Sequence, residues 1–266
     1  MPCGRRRCAV SKHLHYCWFG RGEKSDLIGK CIASWHEQMP DAEITEWNED
    51  NFDLDFCPYV REAYDAKKWA FVSDVCRFYV LSTFGGIYLD TDVELLRPLD
   101  DLPDTFAAFE APRVVASGLI RGALPGDEIS LAMLDSYRAD HFLLPDGTEN
   151  TLTVCARETA LFTERGLLLN GKTQTVAGVT VYAPDFFCPL NYTTGKLRLT
   201  ENTRSIHHYS GTWENAQQKY TNGKRRMLCR FLPKKFAGRV AFVLGYLKYQ
   251  GLSALIRYQK NKKKKT

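Results

Sequence analysis

Residues 70–99 read AFVSDVCRFYVLSTFGGIYLDTDVELLRPL, and the fold turns on this stretch. Phe71, Val75, Phe78 and Leu81–Ser82 step down one side of a helix over 70–84. Gly85–Gly86 ends that helix, and Ile87–Leu96 then alternates as a strand that Pro98 closes. Upstream, Leu14–Phe19 predicts a first strand, stopped by Gly20 and Gly22. Ser25 or Asp26 caps a helix that runs to about Met39 and halts at Pro40. Ala42–Trp47 follows as a second strand with a polar turn at Asn48–Asn51, and a further helix is expected from about Pro58 to Lys68. Downstream, strands are expected near Phe106–Glu110 and Val179–Ala183, with helices near Glu128–Arg138 and Arg157–Glu164. A β-α-β opening followed by alternating elements is the pattern of an α/β fold with a parallel sheet and covering helices.

Within that frame, Asp90-Thr91-Asp92 lies in an otherwise apolar strand. Residues two apart in a strand point the same way, so both carboxylates share a face. Two close carboxylates repel each other and lose solvation, which calls for a hard cation or a shifted protonation. Oxygen ligands of this kind suit Mg²⁺ or Mn²⁺ with phosphate oxygens and water; the plainer alternative is a strand end with both acids in water. Asp74 and Arg77 are three apart on the preceding helix and share its face. They are either a solvated ion pair or, because their helix feeds directly into the acidic strand, an acid and a base packed against the same cavity. An Arg fork suits a diphosphate or sugar hydroxyls.

Ser205-Ile206-His207-His208-Tyr209-Ser210-Gly211-Thr212-Trp213 gathers two histidines, hydroxyls, a glycine and an indole. It is either an ordinary polar loop or a source of one neutral imidazole for a metal shell with Asp90 and Asp92. Trp18 points with Tyr16 from the end of the first strand and suits either the core or a stacked nucleobase. Gly20-Arg21-Gly22 is too short for a dinucleotide fingerprint and no GxxxxGK[ST] loop occurs, which weighs against Rossmann oxidoreductases and P-loop enzymes.

The net charge of +5 conceals a division. No acid follows Glu214, yet 15 of the 36 Lys and Arg do, so the first 214 residues carry 21 basic against 31 acidic side chains, a net of −10. Such asymmetry suggests a basic segment that meets nucleic acid or an anionic membrane. With 44% hydrophobic residues the chain is not of disordered composition. Nine scattered cysteines without a CxxC pair argue against a disulfide framework or a zinc ribbon and fit a reducing cytosol. The opening residues lack an apolar run of signal-peptide length. In the basic segment, the longest uncharged apolar stretch, Val240–Leu247, is far short of the roughly 20 residues of a spanning helix. Phe236, Val240, Val243, Leu244, Leu247 and Leu255 fall at helical spacing with Arg239 and Lys248 off the stripe, followed by Lys262–Lys265. This helix either packs on the body or lies on anionic lipid. The segment lacks the interleaved aromatics of single-strand binders, so nucleic acid is not expected.

HYCWFG at 15–20, WNEDN at 47–51, the 70–99 block and TRSIHHYSGTW at 203–213 occur in the order found in glycosyltransferase family 32, and the chain resembles that family over residues 13 to about 213. The family holds DXD-motif sugar transferases of capsular and surface polysaccharide synthesis, and the large clostridial glucosylating toxins share its core. The resemblance implies a GT-A-type nucleotide-sugar-binding fold, a divalent cation (Mn²⁺, or Mg²⁺) and retention at the anomeric carbon. By position, Trp18, with Tyr16 beside it, would stack on the base, and Asp74 and Arg77 would hold the donor sugar. Asp90 would sit near ribose and sugar, Asp92 would bind the metal, and His208 would add a ligand. Thr212-Trp213 would touch phosphate. Two features depart from the family: Ser11-Lys12-His13 replaces the usual Ile-Pro-Lys, and Thr151–Thr163 matches only loosely.

The domains expected are a catalytic domain over 1–214 and a basic amphipathic helical extension over 215–266. The activity expected is transfer of a hexose or N-acetylhexosamine from a UDP-sugar (UDP-Gal favoured by analogy with bacterial relatives) to a glycan acceptor, lipid-linked in one version. No carboxylate is an assured nucleophile, which favours front-face attack by the acceptor. The location expected is the cytoplasm, peripheral on the inner membrane face. A toxin-like transferase acting on a protein hydroxyl and a non-enzymatic glycan- or nucleic-acid-binding protein are the alternatives.

Overall fold

Ser25 starts the first helix as expected: its hydroxyl accepts the Ile28 N–H at 3.5 Å, satisfying a donor that has no partner within the helix. In the computed structural model, which describes residues 13–211 and 214–263, the chain opens with β1 (His13–Cys17), α1 (Asp26–Gln38) and β2 (Glu43–Trp47). Then come α2 (Pro58–Asp65), α3 (Trp69–Phe84), β3 (Gly86–Tyr88) and β4 (Val93–Leu95). The middle holds β5 (Phe106–Ala111), β6 (Val114–Val115), β7 (Arg121–Ala123), α4 (Glu128–Arg138) and α5 (Val154–Glu164). There follow β8 (Gln174–Val176), β9 (Val179–Tyr182), α6 (Pro184–Phe187) and β10 (Ser205–His207). The last helices are α7 (Ala216–Leu228), α8 (Lys234–Tyr249) and α9 (Gly251–Lys263). Thr212 and Trp213, to which the resemblance gave the phosphate contact, lie outside the described residues.

The central sheet runs β2-β1-β3-β7-β5-β9-β8, with β6 beside β5. β1 pairs parallel with β2 and β3, and β5 pairs parallel with β9. β7 is antiparallel to both β3 and β5, and β8 to β9. In the main order five strands therefore share one direction, and β7 and β8 oppose them. The fold is α/β with a mainly parallel central sheet, as read from the sequence. One core lies where α2, α3 and α4 meet the sheet, around Tyr59, Phe78, Leu81, Tyr137 and Phe142, all fully buried. Cutting a side chain such as Phe78 back to Ala in such a site costs about 3–5 kcal/mol. A second core joins Phe109, Phe162 and Val181.

The strand expected over Ile87–Leu96 is broken. β3 stays in the central sheet, whereas β4 leaves it to pair antiparallel with β10. Between them Leu89–Asp92 makes the crossing, and the Val93 N–H closes a turn on the Asp90 carbonyl at 3.1 Å. The Asp pair thus sits on a turn and not on one strand face. α5 begins three residues earlier than expected because Thr153 accepts the Ala156 N–H at its start. The helical spacing of 236–256 spans two helices, α8 and α9, divided at Gly251, whose φ of +79° a β-carbon would strain.

The chain divides into two compact units: Met1–Pro189 with Leu199–His208, and Leu190–Arg198 with Tyr209–Thr266. The 215–266 segment lies wholly in the second. Its helix α7 opens with a reciprocal capping box between Asn215 and Gln218.

Candidate active site

α3 delivers the first two groups. Asp74 and Arg77 occupy successive turns, and both are buried. Arg77 Nη2 lies 2.9 Å from Asp74 Oδ1 and 3.2 Å from Asp90 Oδ1, so one guanidinium joins the helix acid to the first acid of the turn. Its Nε donates to the Ser73 carbonyl at 3.3 Å and Nη1 reaches the Ser117 hydroxyl at 3.4 Å. The guanidinium also lies over the Tyr88 ring at 4.8 Å, and the Tyr88 hydroxyl donates to Asp90 Oδ1 at 3.1 Å. A guanidinium has five N–H donors. Four are engaged here, and the fifth, on Nη1, has no acceptor among the described residues.

Burial pushes the Asp74 carboxyl up to about 7, opposed by Arg77 and reinforced by the Asp90 charge. Burial alone would weaken the Arg77 cation, but Asp90, Tyr88 and Asp74 together hold it firmly protonated. This is an electrostatic arrangement that water would not sustain: a buried cation flanked by two acids, one of them near its titration point at neutral pH.

The third group comes from far along the chain. β10 runs antiparallel to β4 with His207 opposite Val93, Ile206 opposite Glu94 and Ser205 opposite Leu95. The ladder extends past the strand, since the His208 N–H donates to the Asp92 carbonyl at 2.9 Å. Neighbouring residues of a strand face opposite ways. Only one histidine of the pair can face Asp92, and it is His207: Nε2 lies 3.1 Å from Asp92 Oδ1. Ligand atoms of Asp90, Asp92 and His207 all fall within 4.8 Å of one another. His208, the residue expected as ligand, turns to Glu94 at 2.7 Å, and Glu94 also takes Lys30 at 2.8 Å.

Two carboxylates and an imidazole form a donor set that fits Mn²⁺, and with less contribution from the imidazole Mg²⁺. Burial acts to lower the His207 pKa, but Asp92 and Asp90 outweigh it and raise it to about 9. A cation would take the place of that proton on the imidazole.

Behind Asp90 stands a loop that no local motif announced. The Asp90 N–H donates to the Gly118 carbonyl at 2.9 Å. A β-carbon on Gly118 would lie 2.1 Å from Asp90 Oδ2 and 3.0 Å from Arg77 Nη1, so only glycine admits both side chains. The preceding Ser117 N–H donates to Glu158 Oε2 at 2.7 Å, and Glu158 lies fully buried beside Arg121. Asp92 and His207 meet through the β4–β10 pairing, and Asp90 and Arg77 are held by the 117–118 loop.

The aromatic pair of β1 is arranged differently. Tyr16 is buried, packs edge-on to Trp35 at 5.4 Å and donates its hydroxyl to Glu46 Oε2 at 2.6 Å. Trp18 is partly exposed, donates its indole N–H to the Gly22 carbonyl at 2.7 Å and has Lys24 Nζ 5.4 Å from the ring centre. Lys24 also pairs with Glu46 at 2.7 Å, which links the two rings through one ion pair. Trp18 thus keeps part of its ring at the surface, while Tyr16 is held in the core.

A family model described as "Glycosyltransferase sugar-binding region containing DXD motif" matches residues 25–107. The match takes in Asp74, Arg77, Asp90 and Asp92 and ends before β10. Among solved structures, the chain is similar to "PaToxG Glycosyltransferase", at 18% identity and a TM-score of 0.45, over 57% of this chain and 68% of that one. No curated protein matches it. On the family-model match, the chain carries the sugar-binding region of a glycosyltransferase, the enzyme class read from its sequence.

Proposed function

We propose that the protein moves a hexose or N-acetylhexosamine from a UDP-sugar to a glycan acceptor, with retention at the anomeric carbon, in capsule or surface polysaccharide synthesis. The observation that carries this reading is the Asp90–Asp92–His207 cluster joined through Asp90 to the buried Arg77–Asp74 pair. A cation held there would supply charge neutralisation for the departing nucleotide diphosphate. Arg77 holds Asp74 and Asp90 in place and gives its remaining Nη1–H to the donor. Asp74, with a carboxyl near 7, can accept from or donate to a sugar hydroxyl. Trp18 stacks on the base. The acceptor hydroxyl attacks from the face that the leaving group vacates, because no carboxylate is assigned as a nucleophile.

Nucleotide release from a donor panel led by UDP-Gal, with Mn²⁺ and with EDTA, tests the reading. Asp92→Asn should lower turnover by orders of magnitude in a folded protein; near-normal metal-dependent turnover in that variant would remove Asp92 from the site. Transfer of label to lysate proteins in place of glycan would assign a protein hydroxyl as acceptor.

The second unit is proposed to hold the enzyme on the anionic inner face of the membrane. Among the described residues no helix is long and apolar enough to cross a membrane. Instead, Phe231 and Phe236 are 82% and 55% exposed within a strongly basic segment, a combination suited to lying on lipid. Each basic residue near the surface contributes about 1 kcal/mol. Failure to sediment with anionic vesicles at low salt refutes this part.

A further inference from the structure

The second unit holds a cavity of about 400 Å³ that belongs to none of the chemistry above. One wall is the turn that follows Leu190, where Asn191 Oδ1 accepts the Thr193 and Thr194 N–H groups and the Thr194 hydroxyl, and Asn191 Nδ2 has no partner among the described residues. The other is a face of α7 carrying Gly223 and Arg226, with Arg230 just past the end of that helix, and Tyr192 lies between. Arg226 is tied down at one end only: its Nε donates to the Tyr192 carbonyl at 3.1 Å, and its two Nη groups find no acceptor among the described residues. Arg225, which does not line the cavity, lies 5.1 Å from the Tyr192 ring, as Arg226 does, and its buried Nε and Nη2 have no acceptor among the described residues. The unit has 17 Lys and Arg against the single carboxylate side chain of Glu214. That carboxylate already accepts from the Tyr192 hydroxyl at 2.8 Å and from Asn222 at 2.6 Å. Guanidinium donors that line a cavity and have no acceptor favour a bound anion.

Gly223 lines this cavity. It sits inside a helix, where glycine is a poor choice, and a β-carbon there would meet nothing within 4 Å. We infer that this cavity is a binding site for a phosphate ester of a polyol, held by the forks of Arg226 and Arg230 against the Tyr192 ring. Arg forks match phosphate oxygens, and the amide and hydroxyl of Asn191 and Thr194 match a polyol. The site stands on its own residues, whatever the donor reaction proves to be.

The test uses the full chain without donor or metal. Calorimetric titration with glycerol 3-phosphate, with glycerol as the control, should show saturable binding. Gly223→Leu, which fills the cavity with a better helix former, and Arg226→Gln should each weaken it about tenfold or more, the cost of one charge-assisted contact. Gly223→Ala should keep binding and shows that the helix tolerates a side chain. Phosphatidylglycerol vesicles, against phosphatidylcholine vesicles, then identify the source of the ester. If glycerol 3-phosphate and Gly223→Leu both diminish sedimentation, the ligand is a lipid head group; if only the soluble ester binds, it is a free phosphate ester. Absence of saturable binding, or equal affinity in wild type and Gly223→Leu, overturns the site and leaves only diffuse charge on this unit.

Discussion

Gly118→Ala is the sharpest perturbation of the proposed site, because it touches no ligand and adds a single methyl. That methyl would sit 2.1 Å from Asp90 Oδ2 and 2.9 Å from its carboxyl carbon. Non-bonded contacts of this kind settle at roughly 3.5 Å, so the carboxylate must retreat by more than about 1 Å or the loop must move. Neither is easy. Asp90 Oδ1 is held by Arg77 at 3.2 Å and Tyr88 at 3.1 Å, and its N–H is bonded to the Gly118 carbonyl. Overpacking of this kind costs about 1–3 kcal/mol of stability, which leaves a domain of ordinary stability folded. A misplacement of about 1 Å at a reacting centre costs about 100-fold in rate. The expected outcome is a melting temperature lowered by a few degrees together with a drop of about two orders of magnitude in Mn²⁺-dependent nucleotide release. Wild-type turnover in the folded variant would show that the position of Asp90 does not limit the reaction, and the account of the 117–118 loop would fail.

The two histidines should separate cleanly. His207→Ala should raise the Mn²⁺ concentration for half-maximal activity by about tenfold or more, whereas His208→Ala, which loses a contact to Glu94, should leave it near wild type; the reverse result would exchange their roles. His15 predicts acid sensitivity. Its Nδ1 accepts from the Trp47 indole at 3.2 Å and its Nε2 meets the Gly85 carbonyl at 3.1 Å, a pattern only the neutral ring satisfies. Burial, with the nearby His13, lowers its pKa to about 3 from 6.5, although the Gly85 carbonyl pulls it up. Stability from this group is complete above pH 6.5 and falls as the unfolded chain takes up the proton that the folded chain refuses. The loss reaches about 3 kcal/mol at pH 4.5. Urea midpoints at pH 7 and 4.5 should differ less in His15→Gln, which keeps a donor and an acceptor, and an unchanged difference would exclude His15 as the cause.

What could be read along the chain was what the chain settles locally. Ser25 before an apolar-periodic run and Gly85–Gly86 after one fix the limits of α1 and α3 through backbone groups within a few residues. Asp74 and Arg77 share a face because helix geometry demands it, whatever surrounds the helix. The break between β3 and β4 is another matter, since residues 87–96 alternate as a continuous strand would. The break arises because β4 finds a better partner in β10, more than a hundred residues away. That pairing also sets which of His207 and His208 faces Asp92, a choice of register that a His-His dipeptide cannot reveal. Ser117, Gly118 and Glu158 were invisible for the same reason. Glycine at 118 is required by the approach of Asp90 and Arg77, and Glu158 acts through a backbone N–H.

The β4–β10 pairing also bears on synthesis. The ribosome delivers Asp92 and then 114 further residues before His207. At about 5–20 residues per second, that interval is about 6–23 s. During it α3, β3 and the paired acids are out, but the strand that brings the third candidate ligand is still unmade. A nascent chain therefore carries an acidic turn without the imidazole that completes the cluster, and the full donor set is assembled only after His207 has been made.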